Sequence, residues 1–144
     1  MSAILRIRGA EFDPDAALAG SPLAGIADRV FHRGEPRFRN KRHEISGVQF
    51  VASNAEMEEF DRQIDEATAF LRTHREEIRR LAAAPGVEDA TLDFGICWQD
   101  VVFQFDYLPP SLVRLAGELG LGLEISHYPC SHSSPADSSA DESA

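Results

Sequence analysis

The sequence predicts an α+β fold. It is a two-layer sandwich, with a mainly antiparallel sheet of about five to six strands, one long and two short helices on one face, and ferredoxin-like elements. Three observations predict it. Short segments alternate apolar and polar residues with the period of two that a half-buried strand requires. One apolar stripe recurs with helical spacing over residues 57–81. Proline and glycine breaks arrange these segments as strand-helix-strand, three times over.

Residues 4–9 alternate as a first strand, with Ile4, Arg6 and Arg8 on one side and Leu5 and Ile7 on the other. Phe12-Asp13-Pro14 ends it, and Asp13 caps a short helix over 14–19 that has Pro at its first position. Residues 20–25 are punctuation, and 26–32 read as a second strand. Gly34-Glu35-Pro36 breaks that strand, and residues 45–51, rich in β-branched and aromatic side chains, read as a third.

Ser53 with Glu56 three residues on reads as a capping box. Met57, Phe60, Ile64, Ala67, Leu71, Ile78 and Leu81 then form a stripe along one long helix ending at Pro85-Gly86, with His74 filling its one gap. The stripe has two readings: packing on a sheet, or a seam between two copies in a homodimer. Residues 91–96 and 101–107 alternate and read as a hairpin over Trp98-Gln99, with Phe94, Phe103 and Phe105 sharing its apolar side. Pro110 opens a third helix that Gly120 stops, and 121–128 alternate as a last strand. Residues 1–128 thus read as one domain. Residues 129–144, with six Ser and three acids, read as a disordered acidic tail.

Charge is unevenly distributed. The 144-residue chain has formal charge −10, yet residues 29–43 hold six of the fourteen Lys and Arg against one acid. That segment is +5 and the rest of the chain −15. Arg33, Arg37, Arg39 and Arg42, with His32 and His43, are therefore the candidate anion- or partner-binding residues. Guanidinium groups suit planar oxyanions, and a neighbouring His can carry a proton. The alternative is a solvated loop whose arginines pair with the protein's own acids. The pI near 4.8 argues against nucleic acid as a partner.

Other chemistry is sparse. Catalytic residues cannot be assigned, because phosphate loops, dinucleotide fingerprints and nucleophile elbows are all missing from the sequence. Asp93 and Asp106, diagonal neighbours in the expected hairpin, read as surface acids or as an acid-base pair. His127, Cys130 and His132 fall within six residues, but no second cluster completes a metal site, so neither metal nor cofactor is expected. Two cysteines do not make a disulfide framework, which leads to the expectation of reduced thiols in a cytoplasmic protein. No apolar run reaches the roughly 20 residues of a membrane span.

The opening Ile4-Leu5-Arg6-Ile7-Arg8-Gly9 with Phe12-Asp13-Pro14, the Arg33-Gly34-Glu35-Pro36 segment, Pro110-Ser111-Leu112 and the closing 119–128 resemble a family of small bacterial proteins catalogued only as a domain of unknown function. The resemblance covers roughly residues 4–128 and implies an α+β fold without an activity. Small size, acidity and the lack of a catalytic constellation lead to the expectation of a non-enzymatic, protein-binding domain that meets a basic partner, an immunity-like role being one form of it. Its alternatives are a small-molecule or enzymatic site built on 29–43, and a dimer formed through the 57–81 stripe.

Overall fold

The computed structural model describes residues 1–130; the expected tail from 131 onward lies outside them. Five strands form the main sheet: β1 (Ala3–Gly9), β2 (Arg29–Phe31), β5 (Ser46–Ser53), β6 (Asp89–Trp98) and β7 (Gly122–Pro129), in the order β2-β5-β1-β6-β7. Two-residue strands β3 (Pro36–Arg37) and β4 (Lys41–Arg42) make a separate small hairpin. β1 pairs antiparallel with β5 and β6, β2 antiparallel with β5, and β6 parallel with β7. The architecture is the α+β two-layer fold the patterning predicts.

Its central unit is a split crossover. β5 and β6 flank β1, and the chain passes from one to the other through α2 (Phe60–Thr73) and α3 (Arg75–Ala82). α4 (Pro110–Glu118) makes the next crossover, from β6 to its parallel neighbour β7. Parallel neighbours need such a connection, which is why helices separate these strands. α1 (Pro14–Leu18) begins as expected, with Asp13 Oδ1 accepting from the Ala16 amide at 3.2 Å.

One face of the sheet carries the core. Leu5 and Ile7, Val48 and Phe50, and Leu92 and Phe94 are buried there against Ile64, Ala67 and Leu71 of α2, Ile78 and Leu81 of α3, and Leu112 and Leu115 of α4. The 57–81 stripe is consequently spent inside the chain: five of its members lie in this core, so they are not free to form a seam with a second helix. No helix among the described residues is long and apolar enough to cross a membrane.

Among the described residues the opposite face has no helical layer, and its chemistry explains why. Alternation places Arg6, Arg8, Gln49, Asp89, Thr91, Asp93, Glu124 and Ser126 there. Arg6 bridges Asp93 at 3.1 Å and Glu124 at 3.0 Å, while Ser126 donates to Asp93 at 2.8 Å. Arg8 pairs with Asp89 at 2.8 Å. A row of cross-strand ion pairs satisfies charges that an apolar layer would strand.

Four expectations are corrected. The long helix is two, divided at His74, which closes α2, opens α3 and rests against Phe70 at 4.8 Å. α3 is drawn toward the first helical segment, since Glu77 accepts from Ser21 at 2.7 Å and Arg80 donates to the Ala17 carbonyl at 2.7 Å. The capping box does not form: Ser53 ends β5, its hydroxyl accepting from the Ala55 amide and donating to Glu66, and the helix begins only at Phe60. The 91–96/101–107 hairpin does not form either. β6 pairs with β1 and β7 instead, and residues 99–109 are an irregular connection. Finally, Cys97 and Cys130 are joined in a disulfide, Cα to Cα 5.3 Å, rather than reduced. Two of the residues assigned to the tail are therefore structured, Pro129 closing β7 and Cys130 tying it to β6.

Candidate functional site

Two regions collect chemistry-bearing side chains, at opposite corners of the sheet. The first is the connection between β6 and α4. Its alternation is real but turned around from the expected sense. Gln104 faces the protein, donating to the Cys97 carbonyl at 3.3 Å and to Asp106 Oδ1 at 3.1 Å and accepting from the Gln99 amide at 2.9 Å. Asp106 Oδ2 meets His127 Nε2 at 3.1 Å, and Leu108 packs on the core. With the polar alternate residues held inward, the apolar ones point out. Phe105 is 86% exposed, Tyr107 71% and Phe103 66%, while Val102, which precedes that alternation and shares the parity of Gln104, is 96% exposed. Phe103 and Phe105 lean edge to face at 5.2 Å.

The start of α2 stands beside this loop. Glu58, Phe60 and Asp61 form one wall and Phe105, Asp106 and Tyr107 the other of a cleft of about 320 Å³. Among the described residues no basic side chain lines it. Its floor reaches Cys97, and Glu58 lies 3.4 Å from the Cys97 sulfur. Glu58, Cys97 and Cys130 are close enough together for a metal, but the two sulfurs are bonded to each other and offer no thiolate. Of the C-terminal candidates, His127 is engaged with Asp106 and Trp98, Cys130 is in the disulfide, and His132 lies outside the described residues. Asp93 and Asp106 are not neighbours in a hairpin: Asp93 bridges Arg6 in the sheet, and Asp106 belongs to the loop. The acid-base pairing is thereby ruled out.

The second region is the basic segment, which the structure divides. His32 sits between the carboxylates of Asp15, at 2.6 Å, and Glu35. The hydrogen bond to Asp15, reinforced by Glu35, holds its pKa above the ordinary value. Arg33 pairs with Glu11 at 3.1 Å. Arg42 donates to the Gly34 carbonyl at 2.7 Å. Arg39 stands at the tip of the small hairpin over Phe38, 5.3 Å from its ring centre, with φ of 61°. These four do not converge. Arg37 and His43 do, meeting Arg8 and Arg29 in a cleft of about 240 Å³ on the sheet's polar face.

Phe31 builds that cleft. Its ring stacks on His43 at 4.8 Å and lies across Gly47, where a Cβ would stand 2.5 Å from the ring's Cζ and 2.8 Å from Arg8 Cβ. Only a residue without a side chain lets the ring lie flat there. Arg29 rests 5.9 Å from the Phe31 centre, held by cation-π attraction. Arg8 is aimed by Asp89. Burial alone would raise the Asp89 carboxyl, but hydrogen bonds from Thr91 and Arg8 outweigh it and hold it below its ordinary value. Arg8, Arg29, Phe31 and Gly47 are site residues absent from the candidate set, although Arg29 belongs to the basic segment. The legible signal for Arg8 was its place on the polar side of the first strand, beside Arg6.

Compared with protein-family models, with curated proteins and with solved structures, the chain matches none.

Proposed function

We propose that this is a non-enzymatic protein-binding domain whose contact surface is the acidic, aromatic cleft between the start of α2 and residues 98–107. One observation carries the reading: the irregular connection after β6 is hydrogen-bonded through Gln104 so that Phe103, Phe105 and Tyr107 face solvent beside Glu58 and Asp61. Exposed apolar patches rimmed by polar residues mark interaction sites, and aromatic anchors dominate binding energy where they are desolvated.

The partner's chemistry follows from the cleft. Glu58 and Asp61 call for Lys or Arg, and Phe103, Phe105 and Tyr107 for apolar or planar groups, so the partner is a basic polypeptide surface. A two-fold dimer through this cleft would set those carboxylates against their own copies in a protein already at −10, which disfavours self-association there. An immunity-like role against a basic protein is one form such recognition takes. The expected cytoplasmic location and the Cys97–Cys130 disulfide pull in opposite directions, because cytosolic reductants keep most thiols reduced. Trapping free thiols in freshly opened native cells decides between them.

The test is co-purification from native lysate with wild type and Phe103→Ser/Phe105→Ser side by side. The reading expects a basic protein that is retained by wild type, lost by the variant and released by ~0.5 M salt, where charge attraction is screened. A partner bound equally by both forms would overturn the assignment to this surface.

A further inference from the structure

The polar cleft at the other corner of the sheet has an independent use. Arg8, Arg29, Arg37 and His43 line it, with Gln49 and one carboxylate, Glu44. Arg8 is paired with Asp89, so the uncommitted charge of the lining is Arg29 and Arg37 against that single acid, +1 in a chain of −10. Among the described residues, Arg29, Arg37 and Glu44 make no ion pair within 4.0 Å, although the chain holds 24 acids. Arg8 commits its Nε to Asp89. Arg29 and Arg37 are therefore the two cations of the cleft that make no ion pair among the described residues.

The alternative arginine cluster shows the contrast. Arg72, Arg75 and Arg114 also line one pocket with a single acid, Glu118, which bridges Arg75 at 2.7 Å much as Asp89 takes Arg8, but among the described residues that pocket has no aromatic floor. The Arg29–Arg37 cleft has a floor made by Phe31 across Gly47, and a hairpin that lays Arg37 over the sheet. About 240 Å³ falls below the roughly 300–1,000 Å³ of sites for drug-sized ligands. That size suits a single small oxyanion better than a nucleotide, and guanidinium forks bind such an oxyanion in pairs of parallel hydrogen bonds.

We propose that this cleft binds a phosphate-sized dianion, either free phosphate or the phosphate group of a small monoester, held by Arg29 and Arg37 and oriented by Arg8.

The experiment is calorimetric titration of the full chain with inorganic phosphate and with methyl phosphate, at constant ionic strength set with chloride. Wild type is expected to bind at least one of them at one site, with Arg29→Ala and Arg37→Ala each weakening it about tenfold or more, as loss of a charge-assisted hydrogen bond requires. Arg114→Ala, in the other cluster, should change affinity less than about twofold on the same reasoning. Binding of methyl phosphate alone marks a monoester site, and binding of inorganic phosphate alone a site closed to esters; either supports the cleft. Absence of binding by wild type, or binding undiminished in both cleft variants, overturns it. Thermal melting of each variant without ligand confirms that it is folded before titration.

Discussion

The Gln104 carboxamide donates to the Cys97 carbonyl at 3.3 Å, and this bond decides which way the neighbouring aromatics face. It ties the loop back onto the end of β6, with Asp106 and the Gln99 amide completing the attachment. Phe103 and Phe105, on alternate positions either side, are thereby turned to solvent. Replacing Gln104 with Ala should cost about 1–2 kcal/mol, the loss of two to three modest hydrogen bonds. It should also raise amide exchange across 99–107, measured by mass spectrometry, and unchanged exchange would contradict the role given to Gln104.

The outward alternation makes a sharp stability contrast. Phe103→Ser and Phe105→Ser remove exposed rings and should each change stability by no more than about 0.5 kcal/mol. Phe94→Ala, at a fully buried ring, should cost about 3–5 kcal/mol. Chemical denaturation of the three variants separates the cases. A large cost at Phe105 would mean that the ring is part of a core after all.

Gly47 should be irreplaceable. A Cβ there would meet Phe31, Arg8 and the Ile7 carbonyl, all within 2.9 Å. Gly47→Ala is expected to destabilise by about 1–3 kcal/mol through overpacking. It should also displace the Phe31 ring from His43, seen as a changed His43 ring signal by NMR. Retention of both stability and that signal would count against the cleft as described.

Stability should depend on pH through His32. Its folded pKa is raised above 6.5 by Asp15 and Glu35, so the two ion pairs are fully present below that value and are lost as pH rises through the folded pKa. Denaturation midpoints should therefore fall as pH rises from about 6.5 through neutrality, and fall less in His32→Gln. Parallel profiles for the two proteins would refute the assignment.

The Cys97–Cys130 disulfide closes a loop across a sequence separation of 33. On the chain-entropy account its removal costs about 3–4 kcal/mol. Wild type under reductant and Cys130→Ser should shift to the same lower denaturation midpoint. Equal midpoints for reduced and oxidised wild type would show that the bond adds nothing to the fold.

Much of the fold was legible because local pattern and tertiary burial agree. Leu5 and Ile7 alternate in sequence and are buried in the sheet; Ile64, Leu71 and Ile78 follow helical spacing and meet that sheet. The hairpin expectation failed at Phe103 and Phe105 for a specific reason. A period of two says that a segment is extended, not which side faces the protein, and Gln104 settles that with bonds to residues five and seven positions away. Ser53 and Glu56 have the spacing of a capping box, yet pairing with β1 claims Ser53 for the strand. The disulfide was hidden because β6 and β7 are brought together only by a crossover through α4. In the basic segment charge was visible, but convergence was not. Arg37 and His43 share a cleft only because β2 and β5 carry them toward Arg8, a residue far away in sequence.

The account's central claim is that the acidic, aromatic cleft is a contact surface for a basic protein. The most direct test replaces Phe105 with a photo-reactive phenylalanine analogue in native cells, with the same probe at exposed Val113 on α4 as reference. The account predicts a crosslink to a basic protein from position 105, not from position 113, that is lost when Glu58→Lys and Asp61→Lys are added. Crosslinking from position 105 no stronger than from position 113, or unaffected by the two charge reversals, would contradict it.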